Sequence, residues 1–429
     1  MDLLEKVVAL CKRRGFVFPG SEIYGGLANS YDYGPLGVEL KNNVKKLWWD
    51  KFVHGRDDIL GLDGSVILSP RVWEASGHVA AFTDPLVECK SCHKRFREDF
   101  LENAKECPEC KGELTLPKMF NGMFKTNIGA TENKESVAYL RPETAQAIFI
   151  NFKNVLDSRH PKLPFGIAQI GKAFRNEITA GNFIHRMLEF EQMEIEYFIS
   201  PKSDWEPIFD DWLGEMKSFL QEMGVDLSKV KVREHADKER SHYSKKTVDI
   251  EYEFPFGTKE VYGLAYRTDF DLKKHSEVSG TDLVYHNVET GDKFTPHVIE
   301  PSFGVDRSLL VCLLEAYKED GQRVYLSFPP KIAPYKVAVF PLLANKPELL
   351  KGARAIYETL KSQMVVAWDD RGNIGKRYLS QDEIGTPFCI TFDFQSLEDR
   401  MVTVRDRNTT KQERVAIDRL PEYLQNELK

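Results

Sequence analysis

Two segments more than a hundred residues apart limit most what this chain can fold into. One is Phe174-Arg175-Asn176-Glu177, which returns after a short loop through Arg186-Met187-Leu188-Glu189-Phe190. The other is Glu300-Pro301-Ser302-Phe303-Gly304-Val305-Asp306-Arg307. Each runs from a strand-like stretch into a sharp change of geometry. Side chains alternate along a strand, so Gln169, Gly171, Ala173, Arg175 and Glu177 share a face of the outgoing strand. Arg186, Leu188, Phe190, Gln192 and Glu194 share a face of the return. On this reading the small Gly171 and Ala173 leave room beside Arg175. The shared surface offers two guanidinium groups, an aromatic ring and a carboxylate, which suits a triphosphate, a base and an ammonium. A charged hairpin whose arginines merely pair with nearby glutamates is the plainer alternative. Neither segment is a glycine-rich phosphate cradle.

The second segment complements the first. Glu300 and Ser302 share a strand face, Gly304 permits the turn, and Arg307 opens a helix. From there Arg307 can lie over one face of an adenine whose other face rests on Phe190. The run Thr247 to Phe254 alternates with period two and is broken by Pro255-Phe256-Gly257 before Glu260-Val261-Tyr262, a hairpin pattern that favours an antiparallel sheet. A helix is expected from Gly37 to Val53, followed by a strand at Val66-Ile67-Leu68. Another helix is expected from Asp204 to about Met223. Past Pro329-Pro330 and Pro334, strand and helix alternate: Tyr335–Phe340, a helix from Pro347 to about Gln363, Val365–Ala367 and Cys389–Phe392.

Four of the seven cysteines form Cys89-x-x-Cys92 and Cys107-x-x-Cys110, spaced for a four-thiolate zinc site that leaves no open position for water. Cys11, Cys312 and Cys389 lie in apolar surroundings and read as packing residues. The formal net charge of −7 argues against general electrostatic coating of nucleic acid. From Lys331 to Lys429, however, 16 Lys and Arg outnumber 14 Asp and Glu, a mild tilt that fits an RNA-facing surface. No apolar run approaches the roughly 18 residues of a membrane span. The opening helical pattern mixes charge with its apolar residues and does not resemble a secretory leader, so a cytoplasmic location is expected.

The two arginine segments resemble motifs 2 and 3 of class II aminoacyl-tRNA synthetases. The stretches Tyr24–Pro35, Tyr139–Gln146, Phe190–Glu194, Gly263–Leu272 and Glu300–Ser302 narrow the resemblance to the homodimeric glycyl-tRNA synthetases. The resemblance implies an α+β fold: an antiparallel class II sheet flanked by helices, with a zinc-ribbon insertion and a C-terminal α/β domain. Domains are expected at 1–88 (N-terminal part of the catalytic domain, with a motif 1 dimer interface), 89–118 (zinc ribbon), 119–330 (catalytic, with a helical insertion near 202–245) and 331–429 (anticodon binding).

The implied partners are ATP with magnesium, glycine, tRNA(Gly) and a second copy of the chain, with no membrane. Arg175, Glu177 and Arg307 are the implied catalytic residues. ATP would also meet Asn176, His185, Arg186, Phe190, Glu260, Val261, Gly304, Val305 and Asp306, with Glu260 holding magnesium. Glycine would meet Glu143, Phe190, Gln192, Glu194, Glu300 and Ser302, with Arg97 completing the pocket. Several carboxylates suit an ammonium and crowd out a methyl group on Cα. The family's usual R-x-R-E-F has leucine here at Leu188, a position expected to face the nucleotide. His242-Tyr243-Ser244 echoes a family signature, but no catalytic role is assigned to it. In the C-terminal region Arg405, Arg407, Lys411 and Arg414 are candidates for RNA contact. Two other functions stay open: a non-catalytic, synthetase-like nucleic-acid-binding accessory protein, and a class II enzyme for another amino acid.

Overall fold

The computed structural model of the 429-residue chain describes every residue except 99, 100, 102, 104, 132, 134, 135, 179, 180, 238–243, 322 and 429. His242 and Tyr243 therefore lie outside the described residues. The alternating run forms the expected hairpin, β5 (Lys246–Phe254) with β6 (Gly257–Thr268). Phe254 faces Gly257 across a two-residue turn, and Gly257 sits at φ +106°, where only glycine avoids strain.

Five further strands complete the sheet: β1 (Ile59–Gly61), β2 (Phe165–Phe174), β3 (Glu189–Ile199), β4 (Val230–Glu234) and β7 (His297–Gly304). Their spatial order is β4-β5-β6-β7-β3-β2-β1, and every neighbouring pair is antiparallel except β1 with β2. Strand β1 is three residues long, too short to carry a readable period.

The two faces of β3 differ in chemistry. Met193, Ile195, Tyr197 and Ile199 enter the main core. There they meet α2 (Pro35–Trp49) through Leu40, Val44 and Trp48, and α4 (Trp205–Glu222) through Trp212, Met216 and Phe219. The same core takes in α1 (Leu3–Arg14) and α6 (Val305–Ala316). On the opposite face Gln192, Glu194 and Glu196 are polar and buried, and only Phe198 joins a second cluster beneath α3 (Ala145–Arg159). A sheet covered on both sides has thus kept one polar strip inside.

Several boundaries differ from expectation. Residues near 202–245, expected as a helical insertion, contribute α4 to the main core and β4 to the edge of the sheet. The expected helix from Gly37 starts at Pro35, whose fixed φ suits a first turn, and passes at Asp50 into a π-helical turn that ends at His54. Ile67–Leu68 pairs with Val137–Leu140 outside the large sheet. The cysteine-bearing segment carries a three-stranded sheet of Arg95–Arg97, Thr83–Glu88 and Lys118–Asn121, so its structure begins before residue 89.

Beyond the proline linker lies a five-stranded mixed sheet of β8 (Val337–Pro341), β9 (Val366–Trp368), β10 (Phe388–Phe392), β11 (Met401–Asp406) and β12 (Gln412–Ala416). Its order is β9-β8-β10-β11-β12, parallel in the first three strands and antiparallel after. With α7 (Pro347–Lys361) it encloses a separate apolar core. Arg405 and Arg407 do not face solvent here. Arg405 is 6% exposed and grips Asp382 with two bonds of 2.8 Å, while Arg407 is 3% exposed and donates to the carbonyls of Gly385 and Phe328. Arg414 pairs with Asp393 and Asp399, and of the four only Lys411 is exposed.

Candidate active site

Strands β3, β6 and β7 and the first turn of α6 frame a cleft. Cross-strand pairing sets its floor, placing Gln192 opposite Gly304 and Glu194 opposite Ser302. Arg175, Glu177, His185, Arg186, Phe190, Gln192, Glu260, Val261, Ser302, Gly304, Asp306 and Arg307, all expected from the sequence, line it together. A roomier cavity between the end of α3 and residues 282–289 holds none of them.

The cations are held but not neutralised alike. Arg175 donates through Nε to the Pro142 carbonyl at 3.1 Å, its guanidinium 5.3 Å from the Phe190 ring and 5.6 Å from that of Phe82. Among the described residues no carboxylate forms a salt bridge with Arg175. Arg307 meets the Glu260 carboxylate at 3.0 Å, and this pairing holds the Glu260 carboxyl below its ordinary range. Arg186 stands 3.9 Å from Glu177. His185 is wedged between Phe254 and Phe256, its Nε2 3.2 Å from the Glu260 carbonyl. Burial, aided by Arg307, pushes its imidazole down to about 3, so it is neutral at pH 7 and donates from Nε2.

Some expected nucleotide contacts have other work. The Asp306 carboxylate accepts from Lys41 at 2.9 Å, from the Tyr33 hydroxyl and from the Glu191 amide at 2.7 Å, tying α6 to α2 and β3. Val305 is fully buried in the core. Asn176 is half-buried, its main-chain N–H donating to the Gly122 carbonyl at 2.8 Å, and is absent from the cleft lining. Leu188, expected to face the nucleotide, is half-buried and does not line the cleft either. The chain is not yet a strand there, since β3 begins at Glu189, so simple alternation fails. The main chain of Leu188 bonds Asn29 and Arg175 at 2.9 Å each. The space over Gly171 is taken by Arg141, not left for Arg175. A Cβ on Gly171 would sit 2.2 Å from Arg141 Nη2.

Deeper in, the carboxyls gather. Glu143 lies 3.2 Å from His78 Nε2 and accepts from Gln146 at 3.0 Å. Burial pushes its carboxyl up, but His78 and Arg267 outweigh that and hold it far below the carboxylate range. Glu194 accepts from the hydroxyls of Thr144 and Ser302; burial first, then Glu143, raises it. Arg267 bonds Glu300 at 2.9 and 3.0 Å and Asp271 at 2.8 Å twice. Burial raises the Glu300 carboxyl to about 8, with Glu194 and Glu143 adding to the push and Arg267 opposing it. Glu143, Glu194, Glu196, Asp271 and Glu300 thus crowd around Arg267, an arrangement that attracts a further cation. Arg97 lies apart from the cleft lining, on the small sheet, 3.0 Å from Asp84.

Sequence reasoning passed over His78, Thr144, Gln146, Glu196, Arg267 and Asp271. Glu196 was within reach, because the alternation that groups Gln192 with Glu194 continues to it. The others come from four separate elements, and only folding brings them together.

The four cysteines converge as their spacing implies. Sγ of Cys89 is 3.4 Å from that of Cys110, Sγ of Cys92 is 3.7 Å from that of Cys107, and all four lie within 4.8 Å of one another. Four thiolates about 2.3 Å from a tetrahedral zinc stand roughly 3.8 Å apart, so the set fits that ion. The amides of Ser91 and Cys92 point at Cys89 Sγ, at 3.4 and 3.5 Å.

An antiparallel sheet carrying arginine clamps above buried carboxylates defines the class II synthetase core. Residues 124–317 match the model of the tRNA synthetase class II core domain (G, H, P, S and T), and residues 336–427 match an anticodon binding domain. Over its full length the chain is 51% identical to a glycine–tRNA ligase of Thermobifida fusca, covering 98% of that protein. It is 50% identical to one from Streptomyces coelicolor, covering 99%, and 48% identical to one from Borreliella burgdorferi, covering 98%. The chain belongs to the glycine–tRNA ligase family.

Proposed function

We propose that the chain activates glycine with ATP to give glycyl-adenylate and pyrophosphate, then transfers glycine to the 3′ end of tRNA(Gly). The observation that carries this reading is the convergence of Arg175, Arg186, Arg307 and Phe190 over a floor that descends to Glu143, Glu194 and Glu300. Activation is an in-line displacement: a glycine carboxylate oxygen attacks the α-phosphorus, and the bond to the β-phosphate oxygen breaks. No side-chain nucleophile is needed, so positioning and charge neutralisation supply the rate. Arg175 takes the α-phosphate, since among the described residues no carboxylate competes for it. Arg186 takes the γ-phosphate, and Phe190 with Arg307 brackets the adenine. Glu260 would hold magnesium when ATP is bound, and such an ion would supply charge neutralisation at the phosphates.

Glu143, Glu194 and Glu300 hold the ammonium of glycine, and Ser302 and Gln192 line its pocket. The buried amide oxygen Gln192 Oε1 has no partner among the described residues and suits a substrate donor. The four thiolates hold a structural zinc. The C-terminal domain reads the anticodon, and the chain works as a homodimer in the cytoplasm. The exposed apolar side chains Ile23 and Tyr24, 89% and 87% accessible, support burial against a second copy. Among the described residues no helix is long and apolar enough to cross a membrane.

The test is amino-acid-dependent ATP–pyrophosphate exchange across the twenty standard amino acids. Exchange with glycine alone is expected. Exchange with another amino acid would keep the class and overturn the pocket, and none at all would point to a nucleic-acid-binding protein without catalysis.

A further inference from the structure

Glu196 is 0% exposed, and among the described residues neither of its carboxylate oxygens has a hydrogen-bond donor. The register that pairs Glu194 with Ser302 and Tyr197 with Ile299 sets Glu196 opposite Glu300. Oxygens of Glu194, Glu196 and Glu300 lie within 4.8 Å of one another. Arg267 on β6 bonds Glu300 and Asp271, the latter at the start of α5 (Phe270–Ser279), and no donor among the described residues reaches Glu196. Among the described residues the groups facing Glu196 are therefore Glu194 on its own strand, Glu300 on β7, Arg267 on β6 and Asp271 on α5, so acids outnumber cations. Glu143, with His78 and Gln146 bonded to it, lies next in the same network, and His275 meets Gln146 at 2.7 Å.

An ionised carboxylate here would have no donor and two anionic neighbours. Burying an uncompensated charge is so unfavourable that such groups take up a proton instead. Two facing carboxyls then gain the one hydrogen bond open to them, O–H to carboxylate, as in paired acids that share a proton.

We infer that Glu196 is a protonated carboxylic acid that donates its hydrogen bond to Glu300 and so positions the Glu300 carboxylate for the ammonium of the amino-acid substrate. This rests on the reading of Glu143, Glu194 and Glu300 as the glycine site. Glu196 is then a positioning residue: it touches Glu300, not the substrate. Burial first, then Glu300, drives its carboxyl well above the ordinary range, in keeping with the geometry. The pair behaves as one unit that retains one proton through the neutral pH range.

The roles separate by chemistry. Glu196→Gln keeps a donor and no charge, matching a protonated acid. Glu196→Leu keeps the volume and loses the donor. In glycine-dependent pyrophosphate exchange, Glu196→Gln is expected to leave the KM for glycine within about threefold of the native value. Glu196→Leu is expected to raise it about tenfold or more, with the KM for ATP unchanged. Infrared difference spectra of the full chain at pH 7.5 are expected to show a carboxylic-acid C=O band in the native protein that Glu196→Gln removes.

A tenfold rise in glycine KM in Glu196→Gln, or absence of that band, would overturn the inference and mark Glu196 as an ionised ligand. A native-like Glu196→Leu would overturn it as well. Glu194→Gln is the control for the underlying reading: if it leaves the KM for glycine unchanged, the glycine site itself is misplaced, whatever Glu196 does. Absence of the band in the native protein overturns the inference without any variant, and its assignment needs only Glu196→Gln, so a Glu196→Leu that fails to fold leaves the question decidable.

Discussion

Arg175 and Arg307 illustrate how one residue type serves two ends. Arg307 is already matched by Glu260, whereas Arg175 is held by a carbonyl and by rings. Replacing Arg175 with alanine removes charge that has no substitute nearby. We expect kcat for pyrophosphate exchange to fall about 10²–10³-fold, with the thermal midpoint nearly unchanged. Leu188 leads to the opposite expectation. Its side chain is outside the cleft lining, so Leu188→Arg should shift the ATP KM by no more than about twofold, measured by the same assay. A tenfold tightening would restore the role expected from the family pattern.

Glu300 carries a pH signature. It shares one proton with Glu196, and burial, which raises both carboxyls, makes the fold hold that proton up to about pH 8, more tightly than the unfolded chain does. Its contribution to stability is complete below about 4.5, shrinks as pH rises through about 8, and is constant above that. Thermal unfolding of native protein and Glu300→Gln across that window should therefore diverge progressively, the native protein losing ground as pH rises.

At the scale of elements, the cysteine ribbon and strand β2 make separate predictions. The ribbon's apolar cluster is little more than Val87, Leu114 and the cysteines themselves, with Phe96 and Leu101 against it. Such a segment buries little on its own, and on the zinc reading proposed above a bound metal would supply the difference. Purified protein should contain about one zinc per chain by atomic absorption. Chelation should expose the Thr83–Asn121 backbone to hydrogen exchange while the large sheet stays protected. On β2, Gly171 lies under the Arg141 guanidinium, which is itself pinned by the carbonyls of Lys172 and Gly64 at 2.6 and 2.7 Å. Gly171→Ala forces that buried group aside and should destabilise the protein by about 1–3 kcal/mol in denaturant unfolding.

For the whole molecule, the separate core of the C-terminal domain and the joint that holds it bear on the division of labour proposed above. The C-terminal domain has its own apolar cluster. It is fastened to the rest by Arg323, which bonds Asp382 and the Arg407 carbonyl, and by Arg14 and Arg13 on Glu383. Lys336 fixes the linker by donating to the carbonyls of Pro330, Lys331 and Ala333 at 2.8–2.9 Å. Ending the chain after Pro330 should spare glycine-dependent pyrophosphate exchange and cripple tRNA charging, compared in parallel assays. Equal loss of both would show that the joint transmits more than position. The buried state of Arg405 and Arg407 shifts attention for RNA contact to exposed groups such as Lys411.

The sequence by itself determined what depends on neighbours in the chain. Period-two alternation located β5 and β6, cysteine spacing anticipated the thiolate cluster, and the two arginine segments placed Arg175, Arg186, Phe190 and Arg307 along one cleft. Tertiary structure alone decided what depends on contacts between distant elements. It assigned Asp306 to Lys41, set Arg141 over Gly171, left Leu188 out of the cleft lining and sank Arg405 and Arg407 into a domain joint. It also gathered His78, Glu143, Arg267 and Asp271 around the Glu194–Glu196–Glu300 strip. Local pattern says which face a side chain takes. What stands opposite that face, and so whether a charge is free, paired or forced to keep its proton, is settled only when the sheet is covered.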